Sequence, residues 1–530
     1  MQFGSWFIFR PHGRARLSGR GRPATPPRMT NVVDQIFDAP AAFRDKVLYA
    51  SREGSVTYGE TREAMLRIAA WLGTQHGVKA GERVAICLPV AIASVQIILG
   101  ILAAGASYLP LEFNGPAGRL QGILDDSDVR LLLTTDAMAK KLARPSAAER
   151  FNIVAIDPGL SAFHEALREF APLAKPVAVD PDDIAAIFFT SGSTGEPKGV
   201  MMSHTSMADQ GGVYAVHVPL RPDDRLIMLA PLHYAASLGL FFSLLAGCRS
   251  YIVSAEEAMF AEVVGEILER ERITLWEAAA TRLRLLAEGG SLAGRDLSAL
   301  RYVIFYGEPM PIDSLRKVTG LFPNAQFQNT YAASEAFWMM RYLVPRPIPA
   351  DFEKVPIGRP RPDFKLLLCD ADGREVAPGE VGEICVVGPV GVVGYWKRPE
   401  LAAAVRLNGI PNSYRTGDLA RLGDDGNYHF AGRRDHQVKI RGHRFELGEI
   451  ESVLRTHAVV REAMAFLVAG EVHACVLAEK RDGLVGEIRA ICLRRLPVFA
   501  RPSRITVMEK FPQLPSGKVD RMALQKTHAG

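Results

Sequence analysis

A short polar loop in the first half of the chain has the residue types of an anion site. It follows the apolar run IAAIFF, and residues 190–200 read TSGSTGEPKGV. Glycines and hydroxyl side chains can direct N–H and O–H groups into one anion-binding concavity, and Lys198 adds a positive charge. A Walker A loop has glycine before its lysine, whereas this loop has Pro197, so it is not a P-loop motif. Taken alone, the loop fits either a nucleotide phosphate site or an ordinary flexible turn.

The composition is that of a folded protein with sizeable cores. The 530 residues are 48% hydrophobic and 23% charged, which suits more than one domain. The net charge is +5, but residues 1–28 contain six arginines and no acidic residue, so the remainder is close to neutral. Nucleic acid is therefore not expected as a partner. We interpret residues 1–28 as a disordered tail or a mis-assigned start, with a transit peptide or a basic interaction arm as alternatives.

Cysteine usage and hydropathy favour a cytoplasmic protein. The six cysteines are scattered singly, without CxxC spacing, as expected of reduced thiols. The longest apolar stretches, such as residues 92–106, are too short and too mixed to span a bilayer of about 30 Å. We therefore expect no membrane span.

The elements that must position this loop alternate between strand-like and helix-like segments from about residue 55. Residues 83–89 form a short buried strand pattern between two segments with helical periodicity. Such alternation predicts an α/β fold, in which ligands bind at the carboxyl ends of the strands. We predict a large multi-sheet N-terminal domain, residues 29–433, with parallel-rich sheets and a β-rich subdomain after about residue 365. A small mobile α+β C-terminal domain, residues 434–530, follows.

Four further motifs follow the loop in a fixed order. They are NTYAASE (329–335), YRTGDL (414–419), GRRDHQVKIRGHRFELGEIE (432–451) and LPSGKVDR (514–521). Together the five resemble the core motifs of the adenylate-forming superfamily, which contains acyl-CoA synthetases, luciferases and nonribosomal peptide synthetase adenylation domains. The resemblance covers residues 30–525. It implies a freestanding adenylation enzyme that uses ATP and Mg²⁺.

The resemblance also implies the nucleotide site. Glu335 would supply an oxygen ligand to Mg²⁺, Tyr331 a flat face for adenine, and Asp418 the acceptor for the ribose hydroxyls. A solvated acid at Glu335 and a turn-capping role for Asp418 are the structural alternatives. Ser334 stands where the family usually has threonine, and Ala332 where it has glycine. The implied cofactor-binding residues are Thr190, Ser191, Gly192, Ser193, Thr194, Gly195, Lys198, Gly307, Glu308, Asn329, Tyr331, Ser334, Asp418 and Arg433.

Catalysis in such enzymes would use two orientations of the small domain. Lys518 would stabilise negative charge developing at the α-phosphate during acyl-adenylate formation, although a lysine near a terminus is more often plain surface. The hinge matches Asp435. In the rotated state, the loop around Lys439 would line the path of a pantetheine thiol. The implied catalytic residues are Lys518, Glu335, His233 and Lys439, with Glu335 as the metal ligand.

The acyl pocket departs from the α-amino-acid pattern. The segment PLHYAASLG has His233-Tyr234 where those domains usually have Phe-Asp, and without that aspartate an α-ammonium would be buried unpaired. His233 resembles a histidine of acyl- and aryl-CoA synthetases, with a structural histidine as the alternative. An aryl or short acyl acid suits the pocket, whereas Glu277 would suit a more distant amine, as in a β-amino acid. The predicted lining is Tyr234, Ala235, Leu238, Glu277, Ile304, Tyr306, Thr330, Trp338 and Met339.

The acceptor thiol follows from the motif around residue 440. QVKIRG followed by ELGEIE resembles the carrier-charging branches, which predicts transfer to the phosphopantetheine thiol of a separate carrier protein. A CoA ligase acting on free CoA is the alternative. A catalytically silent nucleotide-binding homologue is a further alternative, and the presence of Lys198, Glu335, Asp418, Arg433 and Lys518 argues against it. A nucleic-acid binder would depend on the arginine tail alone.

Overall fold

The computed structural model describes residues 31–143, 151–190, 197–208, 218–388, 394–407, 410, 412–434, 437–440, 443–512, 519 and 521–528. The strands are β1 (Val47–Ser51), β2 (Gly54–Thr57), β3 (Arg83–Cys87), β4 (Ser107–Pro110), β5 (Leu131–Thr134), β6 (Asn152–Ala155), β7 (Ile184–Thr190), β8 (Lys198–Ser203), β9 (Arg225–Met228), β10 (Arg249–Ile252), β11 (Leu275–Ala279), β12 (Tyr302–Tyr306), β13 (Gln326–Ala333), β14 (Phe337–Leu343), β15 (Arg359–Pro360), β16 (Lys365–Cys369), β17 (Gly382–Val387), β18 (Gly394–Tyr395), β19 (Ser413–Leu422), β20 (Tyr428–Arg433), β21 (Gln437–Ile440), β22 (His443–Glu446), β23 (Glu462–Val468), β24 (Glu471–Leu477) and β25 (Arg504–Met508).

Helices connect and cover these strands. The α-helices are α1 (Asp34–Phe37), α2 (Tyr58–His76), α3 (Ile92–Ala103), α4 (Ala117–Asp126), α5 (Asp136–Leu142), α6 (Leu160–Leu167), α7 (Phe242–Ala246), α8 (Ala255–Met259), α9 (Ala261–Arg270), α10 (Ala280–Glu288), α11 (Ile312–Leu321), α12 (Pro399–Ala404), α13 (Leu447–Arg455), α14 (Leu484–Arg495) and α15 (Arg521–His528). Short 3₁₀ turns occupy Ala41–Phe43, Ala235–Phe241 and Val498–Ala500. Within the described ranges, no helix has both the length and the apolar character needed to cross a bilayer.

The largest sheet is parallel through its centre. Its strand order is β15-β14-β13-β12-β11-β9-β10-β1-β2, and the strands from β13 to β1 in that order run parallel. Parallel strands are covered on both faces and therefore read as nearly continuous apolar runs. The β12 sequence YVIFY is an example, buried along most of its length.

A second sheet carries the polar loop. Its order is β18-β8-β7-β4-β3-β5-β6, with β8 and β18 antiparallel to their neighbours. The helix α3 is buried at every residue, as expected of a helix that is apolar on all sides. A smaller antiparallel sheet, β16-β17-β19-β20, forms the β-rich part expected after residue 365. The predicted fold class is therefore confirmed.

The C-terminal lobe, residues 437–528, has its own core. It contains the hairpin β21–β22, a sheet of β23, β24 and β25, and the helices α13 to α15. The helix α13 begins at Leu447 and buries Ile450, Val453 and Leu454 on one face. The last strand of the large lobe, residues 31–433, ends at Arg433, but the exact boundary at residue 434 stays a prediction.

All six cysteines are buried without a disulfide.

Candidate active site

Lys198 and Glu335 lie together where the polar loop returns to its sheet. The loop joins the antiparallel strands β7 and β8, whose Thr190 and Lys198 are paired. The Lys198 ammonium lies 3.8 Å from the Glu335 carboxylate, which is 1% exposed. Tyr395 of β18 donates a hydrogen bond of 2.9 Å to Glu335, and its ring centre lies 4.8 Å from the Lys198 ammonium. The predicted phosphate-loop lysine and the predicted metal ligand are therefore neighbours.

These side chains fit the ATP phosphates and Mg²⁺ that the motifs imply. The Thr190 hydroxyl is buried and has no hydrogen-bond partner in the described part of the chain, a costly arrangement unless a ligand completes it. Thr190 and Lys198 would contact phosphate oxygens, and Glu335 would offer a carboxylate oxygen to the hard cation. No cluster of three metal-binding side chains occurs among the described residues. Phosphate and water oxygens would therefore supply most ligands.

Asp418 occupies the predicted ribose position and is held from both sides. The Tyr331 hydroxyl donates to one Asp418 oxygen at 2.5 Å, and the Arg433 guanidinium donates to the other. Burial and the neighbouring Asp418 raise the pKa of Tyr331 well above its usual value, so its hydroxyl remains a donor. Glu383 accepts a hydrogen bond of 3.0 Å from the Gly417 N–H and so fixes the turn before Asp418.

Asn329 and Ser334 flank this group on β13 and the turn that follows it. The Asn329 amide donates to the Pro356 carbonyl at 2.7 Å, so one of its donors already has a structural partner. Ser334 lies in the turn between β13 and β14 and is partly exposed. A role for either side chain at the nucleotide stays a prediction.

The segment after β12 contacts the C-terminal lobe. Gly307 has φ +95°, a backbone conformation that favours glycine. Its carbonyl accepts a hydrogen bond from the Lys439 ammonium of β21. The Glu308 carboxylate accepts one from the Thr281 hydroxyl of α10. The backbone at Gly307, which is predicted to bind the nucleotide, therefore contacts Lys439, which is predicted to line the path of the pantetheine thiol.

The predicted acyl pocket lies over one face of the largest sheet. Parallel register aligns Glu277 with Ile304, and Tyr306 with Thr330. Residues two apart on a strand share a face, so these four side chains lie on the same side. The Thr330 hydroxyl is buried and accepts a hydrogen bond of 2.8 Å from Gln328. The register therefore brings together four side chains that are widely separated in sequence.

The remaining predicted lining residues divide between two sides of the sheet. Trp338 packs with Ile304 in one apolar cluster, next to the pocket face. Met339 is buried in a different cluster, with Tyr331. Ala235 and Leu238 belong to the 3₁₀ turn Ala235–Phe241 and pack towards the core of the large lobe.

Glu277 has the most unusual electrostatic environment in the pocket. Burial raises the pKa of its carboxyl to about 8. It keeps some accessible surface, which we attribute to the small cavity that it lines. Its Oε2 lies close to the backbone of Gly239. No hydrogen-bond or ion-pair partner of this carboxyl is found among the described residues.

An aromatic stack includes Tyr234, one of the residues predicted to line the acyl pocket. The His443 ring of β22 stacks on Tyr234, with ring centres 5.1 Å apart, and on Phe499, at 4.2 Å. His233 lies 4.3 Å from Tyr234 by the same measure. Because His443 and Phe499 belong to the C-terminal lobe, this stack joins the two lobes at Tyr234. An ion pair between Arg119 of α4 and Glu449 of α13 also joins them.

Both histidines in this region are neutral near pH 7. Burial, together with the nearby His443 and Arg119, lowers the pKa of His233 to about 3. Burial also lowers the pKa of His443 to about 4. A neutral imidazole can donate one hydrogen bond to a substrate carboxylate without charge repulsion from its neighbours.

The sequence analysis did not select three residues that the structure adds to the site. Tyr395 lies in a GYW segment, Glu383 in the segment GEICVVG and His443 directly after Gly442. Tyrosine and glutamate are common in strands and turns, so only the fold shows which of them contact the site. The predicted residues Ser191, Gly192, Ser193, Thr194, Gly195, Asp435 and Lys518 lie outside the described residues.

Comparison with known proteins agrees with this geometry. The family model described as AMP-binding enzyme matches residues 36–396. An L-proline–[L-prolyl-carrier protein] ligase from Pseudomonas fluorescens is 29% identical, over 95% of this chain and 97% of the relative. Tyrocidine synthase 1 from Brevibacillus parabrevis is 30% identical over 93% of this chain, which spans only 44% of that relative.

A solved structure has the same architecture over nearly the whole chain. The amide bond synthetase McbA from Marinactinospora thermotolerans superimposes with a TM-score of 0.81 at 25% identity, covering 94% of this chain and 99% of McbA. The sequence motifs, the geometry of the site and the family match agree on an enzyme of the adenylate-forming class. The chain belongs to the AMP-binding enzyme family.

Proposed function

We propose that this protein activates a small carboxylic acid with ATP and transfers the acyl group to the phosphopantetheine thiol of a separate carrier protein. In the first step, a carboxylate oxygen attacks the α-phosphorus of ATP and pyrophosphate leaves. In the second step, the thiol sulfur attacks the acyl carbon, the bond to the AMP oxygen breaks, and the thiol proton is released. A cytoplasmic location belongs to this proposal.

The juxtaposition of Lys198, Glu335 and Tyr395 is the observation that carries the first step. A cation and a buried carboxylate lie together, and the strand residue paired with Lys198 is Thr190, whose hydroxyl has no partner among the described residues. Mg²⁺, when bound, would neutralise charge that develops on the phosphates. Lys198 would orient a phosphate oxygen, and the Asp418 carboxylate would accept the ribose hydroxyls. Lys518 remains the proposed cation at the α-phosphate.

The position of the hairpin β21–β22 supports the second step. Its Lys439 contacts Gly307, and its His443 stacks on Tyr234, so this hairpin contacts one residue predicted to bind the nucleotide and one predicted to line the acyl pocket. A thiol that enters beside the hairpin would reach the acyl carbon there. A relative of nearly the same length is named for loading a carrier protein, which favours a carrier over free CoA.

Two assays test the proposal. Carboxylate-dependent ATP–pyrophosphate exchange over a panel of acids reports the first step. The second is tested by incubating the enzyme, ATP and an accepted acid with CoA, with apo carrier protein and with holo carrier protein. We expect thioester only with the holo carrier. Thioester with free CoA would identify a CoA ligase instead, and no exchange with any acid would refute the first step.

A further inference from the structure

A small cavity lies at the floor of the acyl pocket, on the face that Glu277 and Ile304 share. It has room for about one water molecule. Its walls are largely apolar and include Leu226, Met228, Phe242 and Leu275. Glu277 and Ser250 are its polar side chains.

Both polar groups lack partners in the described part of the chain. The Ser250 hydroxyl is buried, at 1% exposure of the residue, and forms no hydrogen bond there. The Glu277 carboxyl likewise has no partner, and its neighbour Tyr306 stays neutral because burial raises the pKa of the Tyr306 phenol. Buried polar groups in proteins are almost always satisfied. Two unsatisfied groups in one cavity indicate that a ligand completes them.

Gly239 keeps the space beside Glu277 open. A Cβ atom at this position would lie 2.6 Å from the Met228 Cε and 3.8 Å from the Glu277 Oε2. The first distance is too short for a real contact, so a larger residue would push Met228 into the cavity. Glycine therefore allows a ligand group to reach the carboxyl.

We propose that Glu277 is the counter-ion of a protonated amine on the substrate, so that the enzyme selects amino acids whose amine lies beyond the α-carbon. This inference rests on the proposed function. An ammonium group is compact, donates three hydrogen bonds and is cationic, which matches a cavity of this size with one carboxyl. The Ser250 hydroxyl provides a further acceptor in the same cavity.

The depth of Glu277 favours an amine beyond the α-carbon. The reacting carboxyl must lie near the carboxyl end of β11, which ends at Ala279, because the Gly307 segment begins at that edge. Glu277 lies two residues deeper, about 7 Å along the strand. An α-amine is only two bonds from its carboxyl carbon, whereas a β- or γ-amine extends towards the cavity. Tyr234, in addition, offers no charge to an α-ammonium.

The test compares matched acids in pyrophosphate exchange with the full-length protein. The acids are 3-aminobutanoate, 4-aminobutanoate, 2-aminobutanoate and butanoate. We expect the wild type to prefer one of the first two acids. Glu277→Gln is expected to lower kcat/KM for that acid by about 100-fold or more, because it leaves a buried ammonium without a counter-ion, and to leave exchange with butanoate within about three-fold.

Two further variants control this result. Ser250→Ala removes one acceptor and is expected to lower kcat/KM for the amino acid by about ten-fold at most. Glu169→Gln changes an exposed glutamate in the same way and should change nothing. ATP binding and the thermal midpoint of each variant verify folding independently of exchange.

The outcomes separate this inference from the proposed function. An equal loss of exchange activity with all acids in a folded Glu277→Gln variant would overturn the inference while adenylation stands. So would a wild type that exchanges with other acids but with neither 3-aminobutanoate nor 4-aminobutanoate. If the folded wild type exchanges with no acid of the wider panel, the proposed function itself fails.

Discussion

Replacing Glu277 with glutamine should stabilise the folded protein increasingly as the pH rises. The carboxyl has its ordinary pKa of 4.5 in the unfolded chain, and burial raises its pKa to about 8 in the folded protein. Between these values the folded protein binds one more proton at this site than the unfolded chain. The free energy of unfolding therefore falls as pH rises through this range. Glutamine cannot ionise, so the variant escapes this loss.

The size of the effect follows from the two pKa values. Each pH unit between them is worth about 1.4 kcal/mol, so the ionised carboxylate destabilises the fold by at most about 5 kcal/mol above about pH 8. Between about pH 5.5 and about pH 7.5 the difference grows by about 3 kcal/mol. For a lobe of about 400 residues, this corresponds to roughly 3 °C in midpoint. Of the described side chains beside the carboxyl, Tyr306 is titratable and stays neutral in this range.

Thermal unfolding of both proteins over a pH series measures this difference directly. Titrations elsewhere in the chain are common to both and cancel, and Glu169→Gln provides the matched control at an exposed site. A constant difference in midpoint over this range would refute the idea that Glu277 is buried without a counter-ion. So would a variant that is less stable at high pH.

Three other substitutions test the site. Tyr395→Phe removes the hydrogen bond to the buried Glu335 carboxylate, so we expect pyrophosphate-exchange activity to fall by about ten- to hundred-fold. A titration with Mg²⁺ should restore part of this activity at high Mg²⁺. The same dependence on Mg²⁺ as in the wild type would contradict this. His443→Ala removes the aromatic stack between the lobes. We therefore expect it to slow thioester formation in single-turnover assays and to leave pyrophosphate exchange intact. An equal loss of activity in both assays would argue against a role of His443 in the second step. Glu383→Gln should raise KM for ATP several-fold by loosening the turn before Asp418, and steady-state kinetics with unchanged KM would count against that role.

The position of the small lobe links these experiments. Lys439, His443 and Glu449 contact the large lobe at three separate points, with Gly307, Tyr234 and Arg119 as their partners. We expect these contacts to be present in one of the two orientations that the family resemblance implies for the lobe. Variants at these points are therefore expected to affect the thiol-dependent step more than the first step.

The sequence by itself determined the family and the fold class, and it supplied the residues predicted to bind the nucleotide. Motifs such as TSGSTGEPKG and YRTGDL are local, because loops and turns that bind phosphate or ribose need particular residues at short spacing. Lys198, Glu335, Asp418 and Arg433 are recognisable for that reason. The helix at Leu447–Arg455 was also predictable, since its apolar periodicity is local.

Only the tertiary structure decided which distant residues complete each site. Tyr395 reaches Glu335 across 60 positions, and Glu277, Ser250 and Gly239 share a cavity only because β9, β10 and β11 are neighbours in the sheet. Strand order and register determine such contacts, and no local pattern encodes them. That Glu277 has no partner among the described residues is likewise a property of its packed surroundings, because a glutamate acquires a raised pKa from the atoms around it and not from its neighbours in sequence.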